Sequence, residues 1–362
     1  MKQEKNKISV RQLMLLLVML TFSPAIRLFP SITVGIAKQA SWLSPIVACL
    51  VMLVMVLIMD AFFKHNQDMG LADVICKILG KVIGRVLIAV YYLWIFILLA
   101  LYIRYYAERI TQSIFPETSI QFFIIPMMIL VYFVLQGGLE ALARYNELLL
   151  AIFALSFVVF SVLALSNFNF SNLFPVSYKD IVPVAGASYG ILAIWGYYFF
   201  MFFLGDKVND KASIKAQGFK TTLYLGIIAI TSIALAIGVL GASLTLHLPL
   251  PYFTVVKIIS VMGIFERLES VVLSLWVVVD FVLITVFCFF ILNLSEWLFK
   301  LKSPKNFATP IVLIAYVLSL FISKNRFELS AFSIYFDTYA NVILEICIPI
   351  LLFAIGKIRK VI

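Results

Sequence analysis

Long runs without a charged residue alternate with short polar stretches along the whole chain. Residues 39–59, 86–103, 118–139, 148–178, 181–205, 221–256 and 306–323 contain no Asp, Glu, Lys or Arg. Three more apolar runs hold one charge each: Arg27 between Arg11 and Lys38, Asp280 between Glu269 and Glu296, and Glu345 between Asp337 and Lys357. A helix needs about 20 mainly apolar residues to cross a hydrocarbon core ~30 Å thick. The pattern therefore predicts ten membrane-spanning helices. The run 221–256 is long enough for two, but His247, Pro249 and Pro251 predict one helix followed by a loop, because proline lacks the amide that continues a helix.

Composition leaves little else. Of 362 residues, 64% are apolar and 13% charged, against roughly 45–50% and 25% in soluble domains. Too few charges exist to cover that apolar surface in water, so a soluble enzyme and a disordered chain are both excluded. Loops such as 64–81 and 205–220 are too small for a soluble catalytic domain. The chain reads as one integral membrane unit over residues 1–362, all-α, with any binding located among its helices. The first apolar run contains Pro24 and Arg27 and lacks the small-residue cleavage site of a signal peptide. Cys49, Cys76, Cys288 and Cys347 are far apart, and with two histidines they make no metal motif. No catalytic cluster, metal site or cofactor is expected.

The net charge of +10 comes from 28 Lys and Arg against 18 Asp and Glu. In a membrane chain basic residues report sidedness before they report nucleic acid. Ten spans put both termini on one side. That side receives 19 of the basic residues, among them Lys64, Lys207 and Lys305, and the other receives 9. Both termini are thus expected in the cytoplasm, and no nucleic-acid partner is expected.

Two spans look interrupted. In the first, Pro24 sits between Thr21, Ser23 and Ala25; the proline removes a helix hydrogen bond, and the two hydroxyls can serve freed backbone groups. A plain proline kink is the alternative. In the sixth, Gly186, Ser188, Gly190 and Gly196 weaken a helix where a span should be strongest, although small residues also permit close helix packing. Interruptions at positions one and six of ten suggest two five-helix repeats, about residues 8–166 and 181–357. Broken first helices of such inverted repeats hold a substrate at mid-membrane.

The lone charges need protein or water around them, since each is costly in lipid. Asp280 and Glu345 read as proton relay, ion ligand or substrate contact, or as members of a buried structural pair in which Arg27 is the counter-ion. Tyr91, Tyr92, Trp94, Tyr102, Tyr105 and Tyr106 at the ends of span three read first as interfacial aromatics. Arg104, Glu108 and Arg109 read as a loop-packing network. The run 137–147 reads as a tight cytoplasmic turn whose charges lock it or form an inner gate.

The stretches Ile8–Leu13, Gly138–Arg144, Gly205–Lys220 and Pro249–Trp276, the last with Phe265-Glu266-Arg267-Leu268-Glu269, together resemble the B subunits of GerA-type spore germinant receptors. These form the spore-permease branch of the amino acid–polyamine–organocation superfamily. The resemblance implies a LeuT-like fold, nutrient sensing, typically of amino acids, in the inner membrane of the spore, and two partners: an A subunit and a C-subunit lipoprotein. It also implies that the first broken helix offers N–H groups to a substrate carboxylate and the sixth offers carbonyls to its amine. Carried over, these are Thr21, Phe22, Ser23, Pro24 and Ala25, and Ser188, Tyr189, Gly190 and Ile191. Tyr92 and Thr285, of spans three and eight, complete the candidate ligand set. The chain departs from the family pattern at Pro24, which has no N–H to offer; Arg27 is positioned to compensate. A proton- or cation-coupled amino acid transporter is the second reading, a scaffold subunit that binds no ligand the third, and a membrane enzyme a distant fourth.

Overall fold

The computed structural model describes residues 7–113, 115–259, 268–301 and 303–362. Much of the Phe265–Glu269 motif lies outside them. The described chain is almost entirely helical. In order, the helices are α1 (Val10–Arg27), α2 (Phe29–Ala37), α3 (Ser44–Lys64), α4 (Leu71–Leu79), α5 (Lys81–Ser113), α6 (Gln121–Gly137), α7 (Leu139–Ala164) and α8 (Ile181–Trp195). There follow α9 (Tyr197–Met201), α10 (Ile214–His247), α11 (Pro251–Ile258), α12 (Leu268–Phe299), α13 (Ala308–Phe321), α14 (Arg326–Phe332), α15 (Thr338–Val342) and α16 (Ile348–Ile358).

Every run expected to span is helical, and one of the ten is a short crossing. Among the described residues, nine helical segments are long and apolar enough to cross a membrane. The expected fourth span is α6, whose 17 residues reach only ~25 Å at ~1.5 Å each. The loop after α10 begins at Leu248, where the prolines place it. The expected turn over 137–147 is shorter than predicted: Gly138 alone turns the chain at φ +95°, and α7 starts at Leu139.

Burial sorts the spans. In their most apolar windows, Tyr178–Lys207 is 94% buried and Val10–Arg27 83%, against 22% for Pro304–Phe321 and 28% for Leu139–Asn167. The segments built on α1 and α8–α9 are therefore the interior of the bundle, and α7 and α13 are on its lipid-facing rim. Phe321 of α13 and Leu155 of α7 are among the large apolar side chains left exposed there, as a chain solvated by lipid permits.

The two central segments are tied at one end. Ser9 caps α1 through a capping box with Gln12, and Ile8–Ser9 pairs in parallel with Val208–Asn209, just beyond α9. The cap satisfies orphan amides of α1, and the two-residue bridge fixes the start of one central segment to the end of the other.

Candidate functional site

The stretch Thr21–Ala25 is helical, so the interruption expected there is absent. The hydroxyl of Thr21 donates to the carbonyls of Leu17 (2.9 Å) and Val18 (3.2 Å), and α1 passes through Pro24 to end at Arg27. A one-residue junction follows at Leu28, where φ is −100°, and α2 begins at Phe29. The glycines of α8 behave similarly. Ser188–Ile191 is helical, with Ser188 Oγ bonded to the carbonyl of Ala185 at 2.7 Å. The junction comes at Gly196, between α8 and α9. Intrinsic weakness of glycine and proline is overridden where packing on all sides supports the helix.

The expected ligand set is spread over several faces. Phe22 meets Phe153 and Phe157 of α7, with ring centroids at 6.1 and 5.7 Å. Ser23 Oγ donates to Asp280 at 3.5 Å, and Ala25 is buried beside Pro24. Tyr92 accepts from Ser295 Oγ at 3.0 Å and packs on Phe96 and Phe299, toward the C-terminal end of α12. Thr285 bonds its own helix at Phe281. Tyr189 packs on Tyr339, and Ile191 is fully buried. Gly190 admits Ile32 of α2: a Cβ there would come 2.7 Å from Ile32 Cγ2.

What the fold does bring together is the two junctions. Phe29, the first residue after one, packs edge-on against Trp195, the last residue before the other, with centroids at 6.2 Å. Glu345 lies directly on Gly196: a Cβ on that glycine would be 2.7 Å from Glu345 Cβ and closer still to Oε2. Glycine is needed at 196 for this approach. Trp195 Nε1 and both Glu345 oxygens are buried without a hydrogen-bond partner.

Beside the junctions runs a bonded polar chain that sequence reading missed. The helix from Arg326 to Ile358 contains two π-turns, Ser333–Asp337 and Ile343–Cys347, a form of bulge often found at functional sites. Each holds a buried acid. Asp337 accepts from Ser333 Oγ (3.0 Å) and Asn341 Nδ2 (2.9 Å), and Asn341 Oδ1 accepts from Trp94 Nε1 (2.8 Å). Tyr102 and Tyr197 share a hydroxyl–hydroxyl bond of 2.5 Å next to Asn341. Tyr91 donates to the carbonyl of Leu344 at 2.6 Å. Tyr91, Trp94, Tyr102 and Tyr106 are buried in the protein, which corrects their reading as interfacial aromatics. The polar spacing Asp337, Asn341, Glu345 was the available signal, because residues four apart share a helix face.

The counter-ion assignment also changes. Asp280 pairs with Arg109 of α5, not with Arg27. Arg109 stacks over Trp276 at 5.7 Å, and its Nη1 is buried and unpartnered. Arg27 lies over the ring of Tyr105 at 5.8 Å and makes no ion pair among the described residues. Arg104 pairs with Glu108 and donates to the carbonyl of Lys324, as a loop-packing pair should. Unpaired, a buried charge costs several kcal/mol, so Arg109 accounts for the tolerance of Asp280 in mid-bundle.

At the end of the molecule carrying the Ile8–Val208 bridge, a cavity of about 360 Å³ is lined by Gly138, Glu140, Leu204, Lys207, Asn293 and Glu296, among others. Lys207 bonds Glu296 across it at 3.2 Å. Between α1, α7, α11 and α12 a crevice of about 20 Å³, lined by Phe22, Phe157, Tyr252 and Trp276, has room for little more than one water.

Relatives place this architecture. The family described as Spore germination protein (Spore_permease) matches residues 7–328. Spore germination protein KB of Bacillus subtilis (strain 168) is 22% identical over 362 residues, covering 99% of this chain and 96% of that protein. Spore germination protein YndE of the same organism is 25% identical over 306 residues, covering 83% and 80%. Putative spore germination protein YfkT is 20% identical over 337 residues, covering 93% and 92%. With a helical membrane architecture and a family match over most of its length, the chain belongs to the spore germination protein (Spore_permease) family.

Proposed function

We propose that this chain is the nutrient-sensing membrane subunit of a spore germination receptor, and that it binds a small nutrient of the amino-acid type where the Leu28 and Gly196 junctions meet. The observation that carries this reading is the meeting itself: Phe29, just past the end of the buried span Val10–Arg27, packs against Trp195 within the most buried span, Tyr178–Lys207. We read the junctions as the breaks of a LeuT-like inverted repeat, displaced along the chain from the segments first expected. A ligand seated there would favour one relative position of α1–α2 and α8–α9 over another, and it can shift that equilibrium only by its difference in affinity for the two. Among the described residues little mass lies outside the helices. The reading therefore requires partners, which the resemblance names as an A subunit and a C-subunit lipoprotein. It places the chain in the spore inner membrane with both termini in the cytoplasm.

Proton- or cation-coupled amino acid transport is the second reading, favoured by the buried acids Asp280, Asp337 and Glu345. Two experiments separate them. Thermal stability of the purified chain is measured against a panel of amino acids; saturable stabilisation that is lost in Trp195→Ala supports the junction site. Counterflow of the stabilising amino acid is then measured in proteoliposomes. Binding without flux supports the sensor, and flux supports the transporter.

A further inference from the structure

We propose that Glu345 is a proton-binding site, loaded in the packing seen here and emptied when the Gly196 junction parts from the 343–347 turn. The inference rests on the reading above that this junction moves. Glu345 is 0% exposed, and neither of its oxygens has a hydrogen-bond partner. Asp337, also buried, differs in that Ser333 and Asn341 each donate to one of its oxygens. The titratable groups facing the turn are Tyr91 and Tyr102 of α5, Tyr189 of α8, Tyr197 of α9, Asp337 of the same helix and the exposed Cys347. None of them is a cation. No Lys or Arg among the described residues is within ion-pair distance of Glu345.

An ionised carboxylate with no donor and no counter-ion costs several kcal/mol or more in a bilayer interior. A metal ion would need several further oxygens and room for itself. Here the side chain fills the space at Gly196, and the neighbouring Leu344 carbonyl is already taken by Tyr91. A proton needs neither space nor additional ligands. The π-turn sets residue 345 inward, and the missing side chain at 196 lets its head group lie against the junction. On opening, water reaches the carboxyl, the O–H bond breaks and the proton passes to water, leaving a hydrated carboxylate. Closure takes a proton back. The closed form binds one proton more than the open form, so raising pH favours opening, by up to about tenfold per pH unit.

The test uses the full chain in lipid nanodiscs with no nutrient added, so it reads out even if the ligand assignment is wrong. Infrared spectra are taken across pH with carboxyl-labelled glutamate. The expected result is a neutral carboxylic acid band that moves with the glutamate label, persists in Asp337→Asn and is lost in Glu345→Gln. Hydrogen exchange of the peptide over residues 192–201, corrected for intrinsic rates, should rise with pH in the wild type and lose that dependence in Glu345→Gln. Should Glu345→Gln fail to fold, the labelled wild-type spectrum decides alone, because Glu345 is the buried glutamate among the described residues. Absence of a glutamate-sensitive neutral band, or an equal pH slope in wild type and Glu345→Gln, overturns the proposal.

Discussion

Gly196 and Arg109 accommodate two of the buried acids, Glu345 and Asp280, in opposite ways. At Gly196 the side chain of Glu345 occupies the place of a Cβ. Gly196→Ala should therefore cost about 1–3 kcal/mol through overpacking, seen as a lower melting temperature in detergent. Gly190→Ala should cost less, because it meets closely one methyl group, Ile32 Cγ2, whereas a side chain at 196 meets two Glu345 atoms and the Leu192 carbonyl. At Arg109 the interaction is an ion pair with Asp280. Arg109→Met leaves a buried carboxylate unpaired and should cost about 3–5 kcal/mol. Arg109→Met with Asp280→Leu should recover much of that loss, and Arg27→Met should cost less than Arg109→Met. Equal losses at the two arginines would restore Arg27 as the counter-ion. Asp280 and Glu345 were legible in the sequence because a charge stands out in an apolar run. Asp337 was hidden because it was taken for the edge of the last span, whereas the helix begins eleven residues earlier at Arg326.

Helices as elements were legible, and their faces were not. Uncharged length predicts where a span lies, and every predicted run is helical. A helix that is apolar all round, however, gives no stripe from which to choose its buried side. That is why Tyr92 was expected at the site, while its neighbour Tyr91 is the residue that reaches the Leu344 carbonyl. The first π-turn was equally invisible, since Ser333–Asp337 changes the register of the helix without a proline or glycine to mark it, whereas Pro349 stands two residues past the second. The proline and glycine signals put breaks at Thr21–Ala25 and Ser188–Ile191, where the chain is helical; the one-residue junctions at Leu28 and Gly196 lie beyond those stretches and keep right-handed helical φ and ψ. The capping box at the start of α1 is testable at this scale. Ser9→Ala should cost about 1 kcal/mol, measured as a fall in melting temperature, and Ser9→Asp should largely preserve stability.

The whole molecule is a lipid-solvated bundle built around two central segments that are bridged at one end by Ile8–Val208 and Ser9–Asn209. The proposed topology puts the bridged end in the cytoplasm. With the four native cysteines replaced, Ser303→Cys should react with a membrane-impermeant thiol reagent only from the cytoplasmic side, and Ser177→Cys only from the opposite side. Reaction of both from one side would refute the assigned topology. The central claim is that a nutrient binds where the two junctions meet. Its most direct test is the melting temperature of the purified chain against a panel of amino acids, repeated with Trp195→Ala and with Tyr92→Phe, which lies away from the junctions. The account predicts saturable stabilisation by at least one amino acid in the wild type and in Tyr92→Phe, and none in Trp195→Ala. Stabilisation that survives unchanged in a folded Trp195→Ala would contradict it.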